Sequence, residues 1–118
     1  METCTIPADQ WTEFFDHLNH DQAGRSATIQ VLHSQYGPQN IAMDLPFQGI
    51  SFDTKGTRPS SVQVSAGSQA GSHVNHVVDL PLHIRQTKEL NGSIDVQIEP
   101  ANGPVTLIHL HEGPVRTK

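Results

Sequence analysis

Pro7-Ala8-Asp9-Gln10-Trp11-Thr12-Glu13-Phe14-Phe15-Asp16-His17-Leu18-Asn19-His20-Asp21 is the stretch from which the fold can be read. Trp11, Phe14, Phe15 and Leu18 fall at i, i+3, i+4 and i+7, so one stripe of a 3.6-residue helix carries four large apolar groups. Gln10, Glu13, Asp16, His17 and Asn19 are then expected on the solvent side. Pro7 suits a first helical turn, where its missing N–H costs nothing, and Asp9 and Glu13 complement the positive end of the helix dipole. Gly24 offers a place to stop. The spacing predicts a helix over residues 7–21.

Beyond it the apolar period falls from 3.6 to 2. Ala27, Ile29 and Val31 alternate with Thr28, Gln30 and Leu32, and the cluster Gly37-Pro38-Gln39-Asn40 breaks the strand before a hairpin partner at residues 41–45. In the next strand, Phe47 to Phe52, the apolar side changes partway, which marks a β-bulge at Gly49. That strand ends at the turn Asp53-Thr54-Lys55-Gly56. Val62 and Val64 alternate with polar residues, and the small-residue run from Ser65 to Ser72 reads as a mobile hairpin loop. Val74 to Asp79 and Leu82 to Arg85 are short strands around Leu80-Pro81, where proline confines pairing to an edge or a bend. After a turn at Leu90-Asn91-Gly92, Ile94, Val96 and Ile98 alternate with Asp95, Gln97 and Glu99. Asn102-Gly103 then turns the chain into Val105, Leu107, His109 and His111.

The expectation is one α+β domain, mostly β, over residues 1–118: a single N-terminal amphipathic helix on a seven- or eight-stranded antiparallel meander spanning about residues 26–112 and curling toward a partly closed barrel. A parallel βαβ arrangement lacks its crossover helices. One internal echo stands out: Asp44-Leu45-Pro46-Phe47 and Asp79-Leu80-Pro81-Leu82 recur 35 residues apart, as a duplicated unit or as two independent strand-bend-strand corners.

Composition narrows the function classes. The 118 residues are 35% hydrophobic and 5% aromatic, with mean hydropathy −0.40, enough for one lean core that a partner could complete. Twelve acidic against seven basic residues give −5, which disfavours the phosphate contacts that dominate nucleic-acid affinity. Eight histidines, if all protonated, would add eight charges and turn −5 into +3. No run approaches the ~18 apolar residues of a membrane span, and no signal-peptide pattern opens the chain. The lone Cys4 makes no internal disulfide and has no basic neighbour to activate it. A cytoplasmic protein that binds neither nucleic acid nor membrane is expected.

Candidate chemistry concentrates in histidines. Period 2 puts His109 and His111 on one strand face, where two neutral imidazoles could share a divalent metal; His83, or His73 and His76, could supply a third ligand. The cupin His-x-His pattern and the His-x-His-x-Asp pattern of binuclear hydrolases both fail, the latter because Gly113 stands where the aspartate should be. His17, His20 and His33 read as surface residues. Ser68 lacks the flanking glycines and following helix of a nucleophile elbow, and the same segment is no phosphate loop. Asp44, Asp53, Asp79, Asp95 and Glu99 sit on separate strand ends and turns. Lys55 and Arg58 in one turn, with Arg85 and Lys88 in another, form a sparse basic spot.

The helix from Ile6 to Trp11, Phe14-Phe15-Asp16 and Leu18, together with Asp44-Leu45-Pro46-Phe47-Gln48-Gly49-Ile50-Ser51-Phe52-Asp53, resembles a family of short bacterial proteins known only as a domain of unknown function. The resemblance covers nearly the whole chain. It implies a bacterial source and a stand-alone domain, and brings no catalytic residues. The leading expectation is therefore a non-enzymatic binding or protein-interaction module without a cofactor, with a homodimer as one partner state and an unidentified protein or small molecule as another. The alternatives are a metal protein built on His109, His111 and His83, hydrolytic or not, and a small-molecule carrier whose ligand sits beneath Trp11 and Phe15 between helix and sheet.

Overall fold

The computed structural model describes residues 2–33, 35–53, 60–67, 71 and 73–111. Lys55, Arg58, Ser68, Gly113 and most of the two loops expected at 53–56 and 65–72 lie outside them.

The apolar stripe forms as its spacing requires. A 3₁₀ turn, Ala8–Gln10, leads into α1, Trp11–Asp21, which buries Trp11, Phe15 and Leu18; Phe14 packs partly buried against the same core. Gln22 continues the stripe four residues after Leu18 and is itself buried at the helix end, where it accepts a hydrogen bond from Arg25 Nη1 at 2.8 Å. Burying each large side chain contributes roughly 1.5–3 kcal/mol, so the stripe outweighs the marginal stability of an isolated eleven-residue helix.

Eight antiparallel strands follow the order β1-β6-β7-β8-β2-β3-β4-β5. They are β1 (Glu2–Ile6), β2 (Ser26–His33), β3 (Gly37–Asp53), β4 (Ser61–Gly67), β5 (His73–Asp79), β6 (Pro81–Lys88), β7 (Ile94–Pro100) and β8 (Val105–His111). Two runs of adjacent hairpins, β2 to β5 and β6 to β8, join where β8 pairs with β2, Ile29 facing Ile108 and Ser26 facing His111. The sheet is not closed: β1 and β5 are its two ends. It curls enough for inward-facing His76 on β5 to reach buried Thr106 on β8, Nε2 to Oγ1 at 2.9 Å.

Three local features differ from the sequence expectation. The strand β1 was not foreseen; it pairs with β6 from Glu2–Lys88 to Ile6–Ile84 and places exposed Cys4 within a strand. The segments 37–45 and 47–53 form one seventeen-residue strand that pairs with β2 over its first half and with β4 over its second. Arg85 and Lys88 belong to β6 and not to a turn, with Arg85 Nη1 donating to Glu99 Oε1 at 3.4 Å. The bulge appears as expected, with the β3–β4 register slipping between Phe47 and Gly49 so that Phe47 and Ile50 both point inward.

Asn19 is the instructive exception on the helix. The pairing of β2 with β3 ends at Ser26–Pro46, which leaves the remaining edge of β3 without a strand. Helix α1 lies there instead. Asn19 Nδ2 donates to the Ile50 carbonyl at 2.9 Å and Asn19 Oδ1 accepts from the Ile50 N–H at 2.8 Å, so one side-chain amide stands in for a strand's peptide group. Trp11 fixes the helix at its other end, donating from Nε1 to the Ile6 carbonyl at 2.9 Å and meeting Phe52 edge to face with centroids 5.1 Å apart.

Both halves of the echo are corners. At Asp44-Leu45-Pro46 the chain passes from pairing with β2 to pairing with β4; at Asp79-Leu80-Pro81 it passes from β5 beside β4 to β6 beside β7. Among the described residues the positive-φ non-glycine positions are Asp44 (φ 53°) and Leu80 (φ 52°), one residue apart within the echo. The corners share a role without sharing a backbone conformation.

Candidate functional site

The strand β8 alternates strictly. Thr106, Ile108 and Leu110 enter the core, while Leu107, His109 and His111 face out. Paired on both edges, by β7 and β2, it is a firm platform for the two outward imidazoles. Their rings lie 5.0 Å apart at 32°.

Each ring has a carboxylate partner from a different side. Asp95, level with His109 on β7, is hydrogen-bonded through Oδ1 to His109 Nδ1. Asp44, at the corner of β3, meets His111 Nε2 through Oδ1 at 3.0 Å. Asp44 is itself held by the Ser26 hydroxyl, which donates to Oδ1 at 3.2 Å, and by its own N–H, which donates to Thr28 Oγ1 at 3.2 Å. An ionised carboxylate only accepts, so these contacts select the tautomer protonated at Nδ1 for His109 and at Nε2 for His111; in the neutral ring of that tautomer, His109 Nε2 and His111 Nδ1 are the acceptor nitrogens. A depression of about 300 Å³ beside His109 is lined by Thr28, Gln30, Asp95 and Leu107.

The remaining candidate residues lie elsewhere. His83 on β6 faces Glu99, four residues along the strand from Thr87, which is level with Asp95 and so with His109. His73 bonds Gln48, Nε2 to Oε1 at 2.8 Å, and His76 is turned inward to Thr106, where burial pushes its imidazole below 6.5. Among the described residues no three metal-competent side chains group closely enough to hold an ion by themselves. Trp11 and Phe15 are core residues, 5% and 1% exposed; the shallow grooves against α1 are lined by Phe14 and His17 instead. His20 contacts Asp21 at 3.2 Å on the surface, and His33 lies edge-on to Tyr36 with centroids 5.9 Å apart.

Sequence reasoning singled out His109 and His111 but did not connect Asp44 and Asp95 to them. The pairs span 67 and 14 residues of chain, and only the register of β7, β8, β2 and β3 brings them together.

A second feature is the opening left by the unclosed sheet. Between β5 and the β7–β8 turn a gap of about 160 Å³ is walled by His76, Val78, Pro100, Pro104 and Thr106. Next to it Val77, Leu80 and Leu82 are 50%, 43% and 55% exposed around the β5–β6 corner.

The model of one family of unknown function, DUF5335, matches residues 2–116 of this sequence. The chain belongs to that family. A 55-residue segment, 47% of the chain, is 31% identical to an uncharacterised protein of Aquifex aeolicus, and this match spans half of that protein's length. The crystal structure of the YojF protein of Bacillus subtilis is similar over 99% of this chain and 100% of that one, with a TM-score of 0.55 and 10% identity. That likeness concerns the fold of the DUF5335 chain. The site itself rests on the geometry above.

Proposed function

We propose that this chain is a non-enzymatic binding module whose contact surface is the β5 edge and the adjoining β5–β6 corner, with a second copy of the chain as its partner. The observation that carries the reading is the exposed apolar group Val77, Leu80 and Leu82 at the end of a strand that, among the described residues, pairs with a neighbour on one side only. An edge strand presents a row of unused N–H and C=O groups, and proteins that must stay single blunt such edges with lysine, proline or bulges. The sequence of β5, His-Val-Asn-His-Val-Val-Asp, contains neither lysine nor proline, and its pairing with β4 runs without a register slip. The same edge on a second copy completes it by antiparallel pairing about a twofold axis, which satisfies those groups and buries Val77 without a separate partner sequence.

Light scattering on the eluting full chain tests this, with concentration raised from micromolar toward millimolar. The expected result is a mass that climbs toward the dimer and returns to the monomer in Val77→Lys, whose charge lies on the outer face of β5 and leaves the core intact. A monomer at every concentration refutes the self-pairing.

A further inference from the structure

We infer that the outer face of β8 is a two-histidine site for a divalent transition-metal ion, held through His109 Nε2 and His111 Nδ1 with solvent completing the coordination. The site is separate from the β5 edge, and either reading can fail without the other.

Three observations converge. Metal-binding imidazoles characteristically give their second ring N–H to a carboxylate, which fixes the tautomer and makes the other nitrogen a better ligand. Here both rings have that arrangement, Asp95 holding His109 through Nδ1 and Asp44 holding His111 through Nε2. The carboxylates also come from opposite flanks of β8, one on β7 and the other at the corner of β3. The two nitrogens of an imidazole point in nearly opposite directions, so each free nitrogen faces away from its own carboxylate. The ring separation suits a shared ion: with metal–nitrogen bonds of about 2.0–2.1 Å and a near-tetrahedral angle, two ligating rings have centroids about 5 Å apart. The observed value is 5.0 Å.

The support beneath the pair is built in the same manner. Asp44 is fixed by Ser26 Oγ and by its own N–H on Thr28 Oγ1, so the residue that orients His111 is itself oriented. The positive φ of Asp44 turns the chain at this point of β3. Two imidazoles with open positions favour copper(II), then nickel(II) and zinc(II), over the oxygen-seeking magnesium and calcium.

The test uses the untagged full chain carrying Cys4→Ser, which removes the exposed thiol as a competing ligand. Zinc and nickel salts are titrated by calorimetry, and histidine ring nitrogens are followed by NMR. One equivalent is expected to bind, with the ring signals of His109 Nε2 and His111 Nδ1 moving while those of His83 and His17 stay in place. His109→Gln and His111→Gln should each weaken binding at least ~tenfold, and Asp95→Asn or Asp44→Asn by about 10–100-fold, while His83→Gln has no effect. Unchanged thermal melts confirm that these surface variants fold. Binding that survives both histidine substitutions, shifts confined to other histidines, or no uptake at about 1 mM metal overturns the proposal.

Discussion

Replacing Asn19 with alanine removes a side chain that closes the edge of β3 beyond its pairing with β2, and its cost can be worked from the structure. Two hydrogen bonds to Ile50 disappear, each contributing about 1 kcal/mol net. The larger effect is what remains. Ile50 is only 3% exposed, and its stranded N–H and C=O on that edge carry a desolvation cost of about 1–3 kcal/mol. Alanine returns roughly 0.5 kcal/mol through better helix propensity. The net loss is about 2.5–4.5 kcal/mol, or roughly 10–18 °C in melting temperature for a domain of this size. Equilibrium urea unfolding reports it directly, because Trp11 is the only tryptophan and is buried where α1 meets Phe52. Asn19→Asp supplies the internal control: it keeps an acceptor for the Ile50 N–H but sets a negative charge against the Ile50 carbonyl. It should be at least as destabilised at neutral pH and recover on acidification, when the protonated carboxyl can donate. If Asn19→Ala falls within about 0.5 kcal/mol of wild type at an unchanged denaturant slope, water or a shift of the helix replaces the amide, and the account of α1 as a substitute strand is wrong.

Further expectations follow from the same geometry. Burial lowers the imidazole of His76, so the folded chain favours its neutral form; that contribution is fully present above 6.5 and is lost as pH falls through the lowered value. Stability measured by urea should therefore drop on acidification below about 6.5, and more shallowly in His76→Gln. Leu80 holds a left-handed backbone at a partly exposed corner, and both of its recorded backbone bonds, to Ser60 and Ala101, survive substitution. Leu80→Gly should accordingly be neutral or stabilising by up to ~1 kcal/mol, whereas a clear loss in the melting temperature would show that the exposed leucine packs. Leu110→Ala, at a fully buried position of a central strand, should cost about 2–5 kcal/mol in the same unfolding assay. Deleting Met1 to His20 removes β1 and most of α1 and should give an insoluble chain or one that binds hydrophobic dye and lacks a cooperative melt; a sharp melt would show that the helix is a lid and not core.

Periodicity determined a great deal here by itself. The stripe of Trp11, Phe14, Phe15 and Leu18, the alternation of β2, β7 and β8, and the bulge at Gly49 are properties of consecutive residues, and backbone geometry converts such spacing into a buried face whatever lies opposite. His109 and His111 were legible on one face for the same reason. Tertiary structure decided the rest. The residues of β1 are exposed at four of five positions and carry no apolar period; they become a strand because the edge of β6 offers hydrogen-bonding partners. Asn19 looked like a solvent-facing helix residue, yet the early end of β2 gives its amide a backbone to bond. Above all, the pairing of β8 with β2 is a contact between distant parts of the chain, fixed by joint burial of Ile29, Ile108 and their neighbours. From that pairing comes Asp44 beside His111, whereas Asp95 meets His109 across the β7–β8 hairpin.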